Sequence, residues 1–287
     1  MDYRPIDLTD LDACAEVFYA ADDELMARRG LPKTPRNPVP LLRLFGHIIT
    51  GSPHRAWLAE RDGAVVGFGI CAQREDMTFL SFLFVRPDVQ ASGVGRALLE
   101  RAMAGGEYRA VCIGSIQPIA AALYAQYGMV PRVPLFMFSG KPQGELPALP
   151  PRMETRPVDS DEVADLDRAV TGLARPEDHA AWETWDRQRL GLFHGKELVG
   201  YGYVQEVGRL GPVVVREPEL LLPFVGGLMA QLPDVETWLV NVPGPAAETF
   251  VALLNAGMRV EGPPVIYCAT ELRIDHSRYL PAGFALP

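Results

Sequence analysis

Cysteine is scarce. The 287 residues hold four, Cys14, Cys71, Cys112 and Cys268, and no two form a Cys-x-x-Cys pair. That excludes a disulfide framework and a zinc-ligand motif, so no metal is expected. A reducing compartment fits best, and the expected location is cytoplasmic. Long apolar runs are also missing. The longest uncharged apolar stretch, Leu220 to Ala230, contains Pro223 and is too short for a bilayer, so no membrane span is expected. The N-terminus carries four aspartates in its first twelve residues, unlike a secretory signal. Positive charge is in deficit, with 27 Lys and Arg against 36 Asp and Glu for a net −9. Phosphate-backbone binding needs clustered cations, so nucleic acid is not expected as a partner. With 48% hydrophobic and 22% charged residues the chain is an ordinary globular one.

The length predicts two domains. Between residues 139 and 153 the sequence reads SGKPQGELPALPPRM, with four prolines and no hydrophobic periodicity, and residues 141–152 read as a linker. Residues 1–140 hold 14 basic and 15 acidic residues, against 13 and 21 in 141–287, so an anionic ligand should prefer the first part. Three landmarks recur in order on either side of the linker. Arg4-Pro5-Ile6-Asp7 is echoed by Arg156-Pro157-Val158-Asp159, Gly67-Phe68-Gly69 by Gly200-Tyr201-Gly202, and Tyr127-Gly128-Met129 by Ala256-Gly257-Met258. Shared order predicts a duplication, 1–140 and 153–287.

The first repeat predicts a strand over 3–7, a helix over 10–29 with Thr9 as its cap, and a second helix over 39–50. Three strands follow, 55–61, 65–73 and 78–85, parted by turn signals at Asp62-Gly63 and Glu75-Asp76. Then come a helix from 93 to 104, a strand 109–114, a helix 118–127 closed by Gly128, and a strand 130–138. The order βααβββαβαβ is that of a mixed α/β fold.

The stretch that carries chemistry is Phe79 to Leu99. An apolar strand ends at Val85 and Pro87, a loop reads Gln90-Ala91-Ser92-Gly93-Val94-Gly95-Arg96, and an amphipathic helix begins there. Glycines let a ligand approach the backbone closely, and the unpaired N–H groups of a helix's first turn favour a pyrophosphate. Taken alone, the glycines also suit a tight strand-to-helix turn.

With its element order, the first repeat resembles the GNAT acetyltransferase superfamily, whose Arg/Gln-x-x-Gly-x-Gly/Ala motif is matched by Gln90, Gly93 and Gly95. Ala91 departs from the glycine that many members carry there. A second motif of the family, Asn, then Ala three residues on, then Leu-Tyr ahead of Gly-Phe, reads here as Gln117, Ala120, Leu123-Tyr124 and Gly128-Met129. The resemblance implies two tandem GNAT-like domains, each a central twisted mixed sheet flanked by helices. It implies acetyl-CoA as acyl donor, bound by Leu83, Phe84, Val85, Gln90, Ala91, Ser92, Gly93, Val94, Gly95, Arg96 and Gln117. It also implies Tyr124 as the acid that protonates the leaving thiolate, the alternative being that Tyr124 packs beside Leu123. No base is visible: the central strand offers only Thr78 and Ser81, and Glu75, Asp76, His47 and His54 read as turn or surface residues.

The second repeat lacks the motif. After Val215 it reads Arg216-Glu217-Pro218-Glu219, placing carboxylates where anion donors are needed, and Gly226-Gly227 falls inside the next helix, where glycines serve close packing. The expectation is therefore an N-acetyltransferase acting from the first repeat on a primary amine of a small molecule, and monomeric because its two domains form an internal pseudo-dimer. The alternative is a silent acyl-CoA-binding module. Between the first two helices, residues 28–43 carry five cations and no acid, which predicts attraction for an acceptor bearing a carboxylate or phosphate.

Overall fold

The structure, a computed structural model, describes residues 1–286. Two compact units compose it, one of Met1–Val111 with the chain's end from Ala285, the other of Cys112–Phe284. The division falls inside a strand, upstream of the proline-rich stretch.

The first unit begins with β1 (Asp2–Pro5), α1 (Leu11–Arg29) and α2 (Pro38–Gly51), then β2 (Ala56–Arg61), β3 (Ala64–Arg74) and β4 (Met77–Val85), α3 (Val94–Ala102) and β5 (Tyr108–Gly114), which crosses into the second unit at its end. Its sheet runs β1-β2-β3-β4-β5, antiparallel except for the parallel β4–β5 pair. The hairpin turns fall where the sequence puts them, at Asp62-Gly63 with φ of 54° and 76°, and at Glu75 with φ 49°. The cap of the first helix differs. Asp7, not Thr9, closes a capping box with Asp10 over a 3-10 turn at Leu8–Asp10, and α1 starts only after it.

The second unit holds α4 (Pro118–Ala125) and β6 (Val130–Gly140), then β7 (Met153–Pro157), α5 (Ser160–Thr171), α6 (Pro176–Thr184), β8 (Gln188–His194), β9 (Glu197–Val204), β10 (Arg209–Val215), α7 (Leu221–Met229), β11 (Trp238–Pro243), α8 (Ala247–Asn255), β12 (Arg259–Val260), β13 (Val265–Ala269) and β14 (Tyr279–Leu280). Up to β12 the order from β7 repeats the order from β1. Its sheet runs β13-β6-β11-β10-β9-β8-β7, with β12 on β6 and β14 on β10. β6, the last strand of the first repeat, lies between β11 (Val240↔Phe138) and β13 (Val265↔Leu135), both from the second. Residues 141–152 do not stand free. Leu146 and Leu149 pack on the second core, and a Cβ on Gly226 would come within 3.1 Å of Leu146 Cβ, so Gly226 and Gly227 thin α7 for that contact.

The recurring Gly-x-Gly has one structural cause in both repeats. It lies on β3 and β9 under a crossing helix: a Cβ on Gly67 would meet Leu98 Cδ1 of α3 at 3.2 Å, and one on Gly202 would meet Leu228 Cδ1 of α7 at 2.5 Å. Glycine there lets the helix sit close to the strand.

Candidate functional site

The site begins where β4 loses a neighbour. Its parallel ladder with β5 runs from Met77↔Tyr108 to Leu80↔Val111 and stops. Against β3 the register slips at the same point: Cys71 faces Leu80 and Ile70 faces Phe82, so Ser81 is an extra residue, a β-bulge. Burial changes there too, from buried at Met77–Leu80 to half-buried at Leu83–Val85. From Ser81 on, β4 is paired on one side only, and the backbone groups of Leu83 and Val85 face away from β3 along an open edge, while Arg86 N–H turns back to Val66 O on β3 at 2.8 Å. Alternation sends Leu83 and Val85 to the α3 side, against Val89, Val94 and Leu98. Phe82 and Phe84 point the other way, into rings from α1 and α2.

Beyond β4 the chain makes a 3-10 turn at Pro87–Val89 and enters the loop. Gln90 ties the two parts together, its Nε2 donating to Val85 O at 3.1 Å. Ser92 Oγ donates to Val89 O at 2.6 Å. Gly93 caps α3 in the left-handed region, φ 86°, and a Cβ built on it meets no atom within 4 Å. The first intrahelical bond is Ala97 N–H to Gly93 O, so the amides ahead of it point out of the helix end. Gly95 would place a Cβ 3.7 Å from Val85 Cγ2, which sets the first turn of α3 against the end of β4. The loop thus has the shape and polarity of an anion cradle. Ala91 carries strain that the sequence does not announce: it sits at φ 63°, where an L side chain costs about 1–2 kcal/mol. Many GNAT proteins have glycine there, and this backbone explains why.

Gln117 and Tyr124 lie in the second unit. Gln117 caps α4, its N–H donating to Gly114 O at 2.9 Å, and Tyr124 is buried one residue before the end of α4, where its carbonyl accepts from Met129 N at 3.1 Å. Thr78 and Ser81 are no bases: Thr78 Oγ1 donates to Gln73 Oε1 at 2.8 Å, and Ser81 Oγ to Phe79 O at 3.5 Å. The thiols are not nucleophiles either. Burial pushes Cys14 up to about 12 and Cys268 up to about 11, and raises Cys71 and Cys112 as well. Among the described residues no cluster of three metal-ligating side chains occurs, and no helix is long and apolar enough to cross a membrane.

The second repeat places β10 in the role of β4. Val213 and Val215 face Gly202 and Gly200, as Leu83 and Val85 face Gly69 and Gly67. β10 also parts from its parallel neighbour early, after Leu210↔Val240. Here the gap is filled by the chain itself. β14 pairs with β10 as Val213↔Leu280 and Val214↔Tyr279, Val215 N–H donates to Arg278 O at 3.0 Å, and Asn241 Nδ2 donates to Pro281 O at 3.3 Å. These three β10 residues correspond to Leu83, Phe84 and Val85. No glycine lies between Val215 and α7, Glu217 and Glu219 are exposed in that turn, and Pro223 removes a donor from the first turn of α7.

A buried polar cluster holds this plug. Arg175, fully buried, makes two bonds to Asp167 (2.6 and 3.1 Å) and one to the Tyr279 hydroxyl of β14 (3.0 Å). Tyr201 bonds the same carboxylate, and His179 contacts both Tyr203 and Asp167. Although burial alone would raise it, Arg175 and His179 hold the Asp167 carboxyl well below the usual range.

Residues 52–130, a stretch that contains β4, the cradle and α4, match the family described as Acetyltransferase (GNAT) domain. Among solved structures, a candidate acetyltransferase from Pyrococcus horikoshii superposes with a TM-score of 0.79 at 14% identity, over 100% of this chain and 95% of its own. A GCN5-related N-acetyltransferase from Sphaerobacter thermophilus gives 0.64 at 17%, over 96% and 98%. A tandem GNAT protein from the clavulanic acid biosynthesis pathway gives 0.57 at 16%, over 93% and 97%. At these identities the likeness is one of fold, and the fold is the tandem GNAT fold. No curated protein matches the chain in sequence.

Proposed function

We propose that the protein is an acetyl-CoA-dependent N-acetyltransferase that acts from its first repeat on a primary amine of a small molecule, with a second repeat that neither binds nor turns over an acyl donor. The carrying observation is the contrast between β4, whose edge beyond Leu80 is open, and β10, whose matching edge is paired with β14. We assign repeat boundaries of 1–140 and 153–287 about the segment 141–152, and take the chain to act in the cytoplasm as a monomer with one site, its pseudo-dimer internal.

Acetyl-CoA supplies a thioester whose acetyl carbon passes to nitrogen as the C–S bond breaks. In this assignment the amides of Ala91 to Arg96 bind the pyrophosphate, with Gln90 fixing the loop on Val85. The backbone of Leu83, Phe84 and Val85 takes the pantetheine arm as a strand would, Gln117 flanks it, and an N–H of that edge donates to the carbonyl oxygen as charge develops there. Tyr124 delivers a proton to the departing sulfur, a phenol being a near match in acidity for a thiol. The amine gives up its own proton to solvent, since no side-chain base is assigned.

Calorimetric titration with acetyl-CoA is expected to give one site per chain; two sites, or none, would overturn the assignment. Tyr124→Phe is expected to lower turnover by about 10²–10⁴ while leaving the KM for acetyl-CoA unchanged. Unchanged turnover, where chemistry limits the rate, would make Tyr124 a packing residue.

A further inference from the structure

The α1 face of β4 holds a ring cluster. Phe82 and Phe84 meet Phe18 of α1 with centroids 6.4 and 4.8 Å apart, and Phe45 of α2 lies 4.7 Å from Phe82. Phe45 and Phe68 form a fully buried floor, whereas Phe18 and Phe84 are only half-buried, so the cluster opens at the end of β4 that leaves β5. Asp22 stands one helical turn beyond Phe18 on the same face of α1, a helix that also packs on the turn after β4. Its Oδ2 is shut away from solvent and accepts no hydrogen bond. An unsatisfied buried acceptor costs about 1–3 kcal/mol, more when charged, so a partner there is strongly favoured.

The nearby cations are already engaged. Lys33 binds Asp23 at 3.1 Å, Arg36 reaches Asp23 at 3.4 Å and Glu16 at 3.7 Å while lying over the Tyr19 ring, and Arg28 binds Glu24 at 2.7 Å. Glu16, Asp23 and Glu24 thus each have a cation, and Asp22 has none. Three of the five cations that the basic 28–43 segment carries in sequence are thus spent within the protein.

We infer that the acceptor subsite lies on the α1 side of β4, with Asp22 receiving the ammonium of an amine whose aromatic or bulky apolar body packs on Phe18 and Phe84. The inference rests on the acetyl-transfer reading above and deepens it: Leu83 and Val85 serve the donor side of the strand, while Phe82 and Phe84 serve the acceptor side. Cation–ring attraction from Phe18 would add to the ion pair.

The test compares 2-phenylethylamine, spermidine and phenylalanine as acceptors by thiol release from acetyl-CoA, beside calorimetry of acetyl-CoA and of 2-phenylethylamine on the full chain. The expected result is a preference for 2-phenylethylamine, with phenylalanine rejected. Asp22→Asn should raise its KM and weaken its binding at least tenfold, leave the Kd for acetyl-CoA within twofold, and be partly rescued by Asp22→Glu. Phe18→Leu should weaken 2-phenylethylamine severalfold and leave the Kd for acetyl-CoA within twofold. Normal acetyl-CoA binding with an unaltered amine response in Asp22→Asn, or a preference for phenylalanine or spermidine, would overturn the subsite alone. Failure of acetyl-CoA to bind wild type would overturn the acetyltransferase reading beneath it.

Discussion

β4 and β10 are the same strand in two repeats, and their partners differ. Each pairs with a Gly-x-Gly strand on one side and parts early from a parallel neighbour on the other. Among the described residues no strand pairs with β4 past Leu80 on the β5 side, whereas β14 lies along Val213 and Val214 of β10. The comparison teaches that an open strand edge needs an occupant. Unsatisfied backbone groups at a splay are costly when buried, and on β10 they are met by the chain's own residues 278–280. The loops agree with the edges, since Gly93 and Gly95 follow β4 while Glu217, Glu219 and Pro223 follow β10.

The strongest way to break the comparison is at the lock of the plug. Asp167→Asn would leave Arg175 buried without its counter-charge, at an expected cost of about 3–5 kcal/mol in stability, read by urea unfolding; a loss under 1 kcal/mol would mean that the cluster does not hold β14. Acid probes the same region. His276, in the segment leading to β14, is lowered to about 4 by burial, against which its bond to Ile274 O acts only in part. The unfolded chain therefore binds a proton that the folded one refuses between about pH 6.5 and 4, and stability should fall by about 3 kcal/mol across that window. Asp167, its folded carboxyl depressed, adds a loss only below the ordinary carboxylate range. A His276→Gln variant whose stability falls as steeply from pH 6.5 to 4 as wild type would refute the assignment.

A smaller effect sharpens the other side. Gly95→Val should weaken acetyl-CoA by about 1–3 kcal/mol, because its side chain enters the cradle; its Cβ is 3.7 Å from Val85, so the fold should survive. Calorimetry reads the change, and wild-type affinity in a folded variant would remove the cradle. Smallest is Ala91→Gly, which relieves a left-handed alanine and should stabilise the first unit by up to about 1 kcal/mol, measured as a rise in Tm with acetyl-CoA absent. A fall in Tm would mean that the loop is not held at φ 63°.

Much was legible beforehand because it rests on local rules. The order of elements in the first repeat, the turns at Asp62-Gly63 and Glu75, and the glycines of the helix entry all follow from periodicity and from residues that alone tolerate a given φ. The Gly-x-Gly echo signalled the duplication, and close helix packing explains it. In the basic segment composition counts charges without their partners: Lys33 and Arg36 fold back on Asp23. Ala91 was read as a departure from a motif, but its cost became visible only as a dihedral.

By itself the sequence determined two repeats of one fold and which of them keeps a glycine-rich strand-to-helix turn, since glycine spacing and such turns are written in neighbouring residues. Tertiary structure alone decided that β4 bulges at Ser81 and leaves β5, that residues 278–281 close the matching gap on β10, and that Asp22 keeps a buried carboxylate oxygen without a hydrogen bond. Each of these depends on which distant segments meet, and pairings between residues 65 apart, as Val214 and Tyr279 are along the chain, leave no local pattern to read.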